Sequence, residues 1–259
     1  MQPAESRVIL ITGASSGIGA AAARSCVAAA YRVALAARRL DRLEQLASEL
    51  GRPESTLLIR ADMRQPEDVT RMVRETEARF GRVDVLLANA GVGHGVPFVE
   101  TTDDQLMDQI EVNLLAVMRA AQAVLPGMLA RRSGHILSIA SVASEIPSPA
   151  GVIYAASKGG VLAFSEGLRR ELRGTGVHVS VIQPGFIRTE MTARVNLPMP
   201  PPSVIGDLVL DLLRRPRRRA VLPRFYGAGI WLNRFAPGLI DWMIDRMQDD
   251  PRFKWEQDR

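Results

Sequence analysis

A doubly wound, parallel α/β sheet in a single domain is the fold class that this 259-residue sequence predicts. Short runs of β-branched and aliphatic residues alternate with long amphipathic ones, and each short run is apolar enough for a strand buried on both faces. The intervening stretches are long enough for right-handed helical crossovers. About seven strands are expected, at VILIT (8–12), RVALAA (32–37), TLLIR (56–60), VDVLLAN (83–89), GHILSIA (134–140), VHVSVIQ (177–183) and AVLP (220–223). No linker divides the chain before residue 190 and no internal repeat is visible, so residues 1–259 read as one domain. Ligands are expected beyond the carboxyl ends of the strands.

The first strand runs into Thr12-Gly13-Ala14-Ser15-Ser16-Gly17-Ile18-Gly19 and then an alanine-rich helix over 18–30. Glycines 13, 17 and 19 let the backbone turn sharply and approach a pyrophosphate, which the unpaired N–H groups of the helix's first turn attract. Strand, loop and helix in that order favour a dinucleotide site over a plain turn. The second strand ends Ala36-Ala37-Arg38-Arg39, where an NAD site wants an acid for the ribose 2′-hydroxyl and none stands. Arg38, with help from Ser15 or Arg39, suits a 2′-phosphate instead, so NADP(H) is expected over NAD(H); the bland alternative is a pair of arginines solvating a turn.

A helix over 41–50 stops at Gly51. Asp62, beside Met63 at the end of the third strand, either accepts from an adenine amino group or caps the next helix, which begins nearer Pro66. Asn89-Ala90-Gly91 ends the fourth strand with residues suited to close backbone approach, and His94 in the loop beyond is not read as catalytic. A long helix from about 103 to 130 is interrupted by Asn113, an amide in an apolar setting that satisfies a local backbone group, holds water, or both.

Ser141 ends the fifth strand, ahead of Tyr154-Ala155-Ala156-Ser157-Lys158. Tyr154 and Lys158, four residues apart on a helix, share a face. A phenol is a poor acid or base at neutral pH, but a cation held close favours the phenolate and lowers its pKa. Lys158 and Lys254 are the only lysines in an arginine-rich chain. A compact, rotatable ammonium that donates to a tyrosine oxygen and a ligand at once explains the choice at 158. A nucleophilic role for Ser141 is disfavoured, because no histidine accompanies it and its surroundings are not a nucleophile elbow.

Composition limits the rest. With 47% hydrophobic residues the chain has material for a full core. Its net charge of +5 is modest, and the cluster Arg214, Arg215, Arg217, Arg218 and Arg219 reads as a solvated helix-to-strand turn, with anionic lipid or cofactor as a lesser reading and no nucleic-acid partner expected. The single cysteine, Cys26, permits no internal disulfide and reads as a buried structural thiol, compatible with a cytoplasmic setting. No leader is expected at MQPAESRVILITG, no apolar run reaches the length of a bilayer span, and no metal site is anticipated.

TGASSGIG at 12–19, Asp62, NAG at 89–91, Asn113, Ser141, YAASK at 154–158 and PG at 184–185 come in the order and spacing of the short-chain dehydrogenase/reductase family. The sequence resembles that family from about Arg7 to Thr189. The resemblance implies a Rossmann-like domain and interconversion of a ketone or aldehyde with an alcohol by hydride transfer. It implies Tyr154 as acid/base, Lys158 binding the nicotinamide ribose and lowering the Tyr154 pKa, Ser141 holding the substrate oxygen, and Asn113 positioning a water that links Lys158 to solvent. Asp62, Asn89 and Thr189 would contact adenine, ribose and carboxamide. The cofactor groove would be made by Gly13, Ser15, Ser16, Gly17, Ile18, Gly19, Arg38, Asp62, Met63, Asn89, Ala90, Gly91, Tyr154, Lys158, Pro184, Gly185, Ile187 and Thr189. An Arg after the second strand is similar to the NADP-preferring type. Ser15 and Ser16, however, stand where some NADP-using relatives have a basic residue, which leaves the 2′-phosphate to Arg38 nearly alone. A homodimer or homotetramer through the long helices after the fourth and fifth strands is implied likewise. The alternative, a non-catalytic NADP-binding scaffold or sensor, has no reason to keep Asn113, Ser141, Tyr154 and Lys158 together.

Beyond Thr189 the pattern thins. Residues 190–203, with Met191, Val195, Leu197, Met199 and four prolines, are expected as a stiff substrate-side loop whose apolar content suits a hydrophobic carbonyl or alcohol; a plain connector is the other reading. A helical extension over 225–259 carries Trp231, Phe235, Trp242, Met243 and Met247 among charged residues. It packs over the site mouth or a second subunit, or lies in a membrane interface as a peripheral contact.

Overall fold

The computed structural model describes residues 7–248; the first six residues and 249–259, Lys254 and the end of the expected extension among them, lie outside the described residues. The strands are Val8–Thr12 (β1), Arg32–Ala37 (β2), Thr56–Arg60 (β3), Val85–Ala88 (β4), Gly134–Ile139 (β5), Val177–Pro184 (β6) and Arg219–Leu222 (β7). The principal helices are Gly17–Ala28 (α1), Leu40–Leu50 (α2), Pro66–Phe80 (α3), Asp103–Ile110 (α4), Ala116–Ala130 (α5), Val152–Glu171 (α6), Ser203–Arg214 (α7), Phe225–Phe235 (α8) and Pro237–Gln248 (α9). The seven strands form one sheet in the order β3-β2-β1-β4-β5-β6-β7, parallel throughout.

The first three strands match the sequence expectation residue for residue. β4 is shorter, because Asp84 turns its carboxylate onto the Val8 N–H at 2.9 Å and Asn89 turns toward the glycine loop. β7 stops before Pro223, which has no N–H to give a neighbour.

Side chains leave the sheet alternately on its two faces. Leu10, Leu86, Ile136 and Val181 meet Met72 and Val73 of α3, Val117, Ala121 and Val124 of α5, and Val161 of α6. Ile9, Ile11, Leu87, Leu137 and Ile182 meet Ala22, Cys26 of α1, Leu43 of α2, and Val209 and Leu212 of α7. The alanines of α1 let α7 come close: a methyl at Gly206 would lie 2.3 Å from Ser25 Oγ. Cys26 sits in this layer, and burial pushes its thiol up to about 12, so it behaves as a small apolar side chain.

Two expectations are amended. α4 and α5 run as one helix from Asp103 to Ala130 that is, by length and composition, apolar enough to cross a bilayer. Its inner positions, Val112, Ala116, Ala120 and Met128, are instead buried in the core. The arginine cluster is also more than solvated: Arg218 and Arg219 close on Glu166 of α6, and Arg219 Nη1 reaches Glu145 at 2.8 Å. These pairs tie the edge strand to α6, and Arg218 holds the Glu166 carboxyl below its ordinary range.

α8 lies over the carboxyl end of β6. Tyr226 packs against Gly185, where a Cβ would meet the ring at 2.1 Å, and Asn233 Nδ2 donates to the Glu145 carbonyl at 2.7 Å. The other side of α8 is an apolar stripe turned outward, Phe225, Ala228, Trp231 and Phe235, with the aromatic members 63–68% exposed. Leu239, Trp242 and Met243 of α9 are likewise exposed, and the Arg246 guanidinium lies over the Trp242 ring, 4.4 Å from its centre.

Candidate active site

The strand order reverses between β1 and β4, and at that point the loops after the two strands splay apart to make a crevice. Thr12, the last residue of β1, fixes the geometry. Its Oγ1 accepts from Asn89 N at 3.0 Å and Ala90 N at 3.1 Å, while Asn89 Nδ2 donates to the carbonyls of Thr12 at 2.9 Å and Gly13 at 3.1 Å. Gly13 has φ +66°, and a Cβ there would lie 2.7 Å from Ala90 Cα. A Cβ on Gly19 would lie 2.3 Å from the Gly13 carbonyl oxygen, so Gly19 lets the loop fold back on α1 without facing the crevice. Ser16 makes no capping bond to α1, which leaves the first-turn N–H groups turned to the crevice.

Of the cofactor residues named from sequence, all except Gly19 line this crevice, and so does Ser141. Asn113 lies just behind it. Arg38 makes no hydrogen bond or close ion pair among the described residues, its charge only adding to the pull of Arg64 on Asp62, which leaves its guanidinium donors to meet an anion. Asp62 does not cap α3, since Gln65 holds that position. Its carboxylate is gripped by Arg64, with Oδ2 to Nη2 at 2.5 Å, which holds it below the ordinary carboxyl range, and any adenine contact must be shared with that pair. Asn89 spends its amide N–H groups on the glycine loop. His94 pairs with Asp108 at 3.0 Å and lies outside the crevice lining.

At the other end stand the four residues named as catalytic. Asn113 occupies a single π-helical turn, Glu111–Leu115, between α4 and α5. Its Oδ1 accepts from Val92 N at 2.8 Å; its Nδ2 donates to the Val92 carbonyl at 2.9 Å and to Ser157 Oγ at 3.0 Å. The buried amide is therefore satisfied by the chain itself. Gly91 leaves a gap beside it: a methyl there would lie 3.2 Å from Asn113 Oδ1 and 3.3 Å from Lys158 Nζ. Ser141 Oγ accepts from Ala143 N at 3.1 Å and donates to the Pro184 carbonyl at 3.5 Å, on the crevice wall that also carries the Tyr154 phenol.

Lys158 and Tyr154 do share a helix face, but the expected depression of the phenol pKa is absent from this arrangement. Lys158 Nζ donates to the Ile139 carbonyl at 2.9 Å and stands 5.8 Å from the centre of the Tyr154 ring. Burial raises the phenol above its ordinary value of 10, outweighing the opposite effect of the nearby Ser141 hydroxyl. Burial also lowers the Lys158 ammonium from 10.5 to about 8. Both groups are held toward their neutral forms.

Sequence reasoning gave no role to Thr12, Arg64 or Glu190. The Thr12 hydroxyl at the strand end was a local signal. Glu190 reaches across the crevice to Arg39 at 3.1 Å and Arg42 at 3.4 Å, a pairing no local pattern announces.

Comparison with known proteins bears on the same features. The family described as short chain dehydrogenase matches residues 7–199. The chain belongs to the short-chain dehydrogenase family. It is an oxidoreductase of CH–OH and carbonyl groups that works with a nicotinamide cofactor. The 3-oxoacyl-[acyl-carrier-protein] reductase FabG of Salmonella typhimurium is 35% identical over 192 residues, 74% of this chain and 78% of that one. An alcohol dehydrogenase from the archaeon Thermococcus sibiricus, solved with 5-hydroxy-NADP, is 31% identical with a TM-score of 0.77, over 83% of this chain and 95% of that one. A short chain dehydrogenase/reductase from Burkholderia phymatum, solved with NAD, shares the fold at a TM-score of 0.86 and 24% identity, over 92% of this chain and 96% of that one.

A depressed lysine pKa has a consequence for the dehydrogenase's stability. Between pH 8 and 10.5 the unfolded chain binds a proton at Lys158 that the folded chain does not, so this residue makes stability rise with pH across that window. Below pH 8 the full cost of the buried charge is present, roughly 3 kcal/mol as an upper figure. Lys158→Met is expected to raise stability by about 1–3 kcal/mol at pH 7 while losing activity. Urea melts at pH 7 and pH 10 check it, with the gap between variant and parent narrowing at the higher pH.

Proposed function

We propose that this dehydrogenase interconverts a hydrophobic ketone or aldehyde and its alcohol with NADP(H), using Tyr154 as acid/base. The observation that carries the reading is that Ser141, Tyr154 and the buried Lys158 line one wall of the crevice that also holds the glycine loop. The glycine cradle, the open first turn of α1 and the unpartnered Arg38 fit a phosphorylated dinucleotide. The Thermococcus sibiricus relative, solved with 5-hydroxy-NADP, supports the same choice. When bound, the nicotinamide supplies or accepts the hydride.

In the reducing direction the two hydroxyls donate to a carbonyl oxygen as it gains negative charge, and Tyr154 gives up its proton to it. A phenol kept protonated by burial is ready to act as that acid. Lys158, protonated below about pH 8, stabilises the phenolate left behind, and Asn113 with Lys158, facing each other across Gly91, frames the path by which the proton is replaced. Substrate hydrophobicity is supported by Val92 and Met191 in the crevice lining. The 190–203 loop serves as the substrate-side flap. Self-association through α5 and α6 and a cytoplasmic setting for the lone buried thiol belong to the same proposal.

The outward aromatic stripe of α8 favours one contact more, with a membrane surface. Phe225, Trp231, Phe235 and Trp242 are residue types that settle at the bilayer boundary, with Arg224, Arg234 and Arg246 at hand for lipid phosphates. α8 also packs through Tyr226 on Gly185 of the crevice lining, which brings the membrane-facing helix next to the site.

Three outcomes are expected. Tyr154→Phe loses about 10²–10⁴-fold in kcat while nucleotide binding, read by cofactor fluorescence, is unchanged; turnover near the parent's would refute the acid/base assignment. Arg38→Asp loses roughly 10- to 100-fold in NADPH affinity and gains in NADH affinity, and unchanged cofactor kinetics would remove the 2′-phosphate clamp. The chain co-sediments with vesicles containing phosphatidylglycerol and Trp231→Glu weakens this; a parent protein that stays in the supernatant removes the membrane contact.

A further inference from the structure

Glu190 begins the short turn Glu190–Thr192 on the flap after β6, yet its carboxylate is engaged on the opposite wall of the crevice. Oε2 accepts from Arg39 Nη1 at 3.1 Å and Nη2 at 3.2 Å, and Oε1 accepts from Arg42 Nη1 at 3.4 Å. Arg39 Nη2 also donates to Ser16 Oγ at 2.9 Å and to Ser15 Oγ at 3.4 Å. One guanidinium thus fastens the flap to the glycine loop. The slot is narrow beside this bridge, since a methyl on Gly17 would lie 3.2 Å from Thr189 Cγ2.

A carboxylate held by two arginines, next to an arginine with no ion pair, offers anionic acceptor oxygens to the same guanidinium groups that a phosphate monoester would use, with less charge and one oxygen fewer. Two anions cannot share Arg39 without repulsion. We propose that Glu190 is an internal anion that occupies Arg39 in the cofactor-free crevice and gives it up to the 2′-phosphate of NADP(H). Phosphate binding at this corner then releases the flap from the glycine loop, and Glu190 sets how much more tightly the enzyme holds NADPH than NADH. The carboxylate and both guanidinium groups are about half exposed, so the competing pair is weak and the effect is a matter of several-fold.

The inference rests on the NADP reading, and its test separates the two. Dissociation constants for NADPH, NADH and 2′,5′-ADP, the last a probe of the phosphate corner alone, are measured at low salt for the parent, Glu190→Gln, Arg39→Gln and the double variant. Glu190→Gln should bind NADPH and 2′,5′-ADP about 3- to 10-fold more tightly, with NADH changed less than about twofold. In the Arg39→Gln background the same change should have no effect. Unchanged or weaker NADPH binding in Glu190→Gln, or an equal gain for NADH, overturns the latch while the NADP reading stands. A parent that holds NADH as tightly as NADPH overturns that reading and the latch with it.

Discussion

Lys158 Nζ, 3% exposed as a residue and donating to the Ile139 carbonyl at 2.9 Å, is a charge taken out of water at the point where the sheet meets its ligand crevice. Taking an ammonium from water costs free energy, and a single carbonyl offsets only part of it. The neighbouring structure answers that constraint. β5 supplies the carbonyl, α6 brings the lysine to it, and Gly91 keeps the approach to the ammonium free of a side chain. The same burial acts on Tyr154 with opposite sign. A phenol resists ionising and an ammonium resists staying charged, so the pair is held toward the neutral forms of both partners until something else enters the crevice.

The support around this pair is built from backbone groups that the helices and strands cannot satisfy for themselves. The π-helical turn Glu111–Leu115 swings Asn113 inward, where it pairs with both the N–H and the carbonyl of Val92 and reaches Ser157, whose hydroxyl donates in turn to the Tyr154 carbonyl at 2.7 Å. The loop after β4 is thereby joined to the helix carrying the tyrosine. On the other side of the crevice, Thr12 and Asn89 do the same for the loops after β1 and β4. Position at the site is set by satisfied polar groups more than by apolar packing, as expected where loops rather than strands carry the function.

The sequence disclosed the inner strands because a strand buried on both faces leaves an uninterrupted apolar run, as in VILIT and VLLA, whereas the edge strand TLLIR buries only Ile59. It disclosed the glycine loop because Gly13 and Gly17 take positive φ, which few other residues tolerate. Spacing also placed Tyr154 and Lys158 on one face. What spacing could not give was distance and dielectric. Whether a lysine lowers a neighbouring phenol or burial raises it is decided by where Nζ points, and here it points at a carbonyl. Nor could a pattern show that Glu190 and Arg39, separated by 151 residues, meet across the crevice, or that the aromatic residues of α8 face outward, since periodicity reveals a stripe without saying which way it turns.

The dominance of burial over the nearby ammonium is the claim most directly open to measurement. Ultraviolet difference titration of the free enzyme, parent minus Tyr154→Phe, reports the ionisation of this one phenol. Ionisation above the ordinary value of 10, falling when NADP⁺ is added, is the expected result. A phenol that already ionises well below 10 in the free enzyme would contradict it and show that Lys158 governs the site without help from the cofactor.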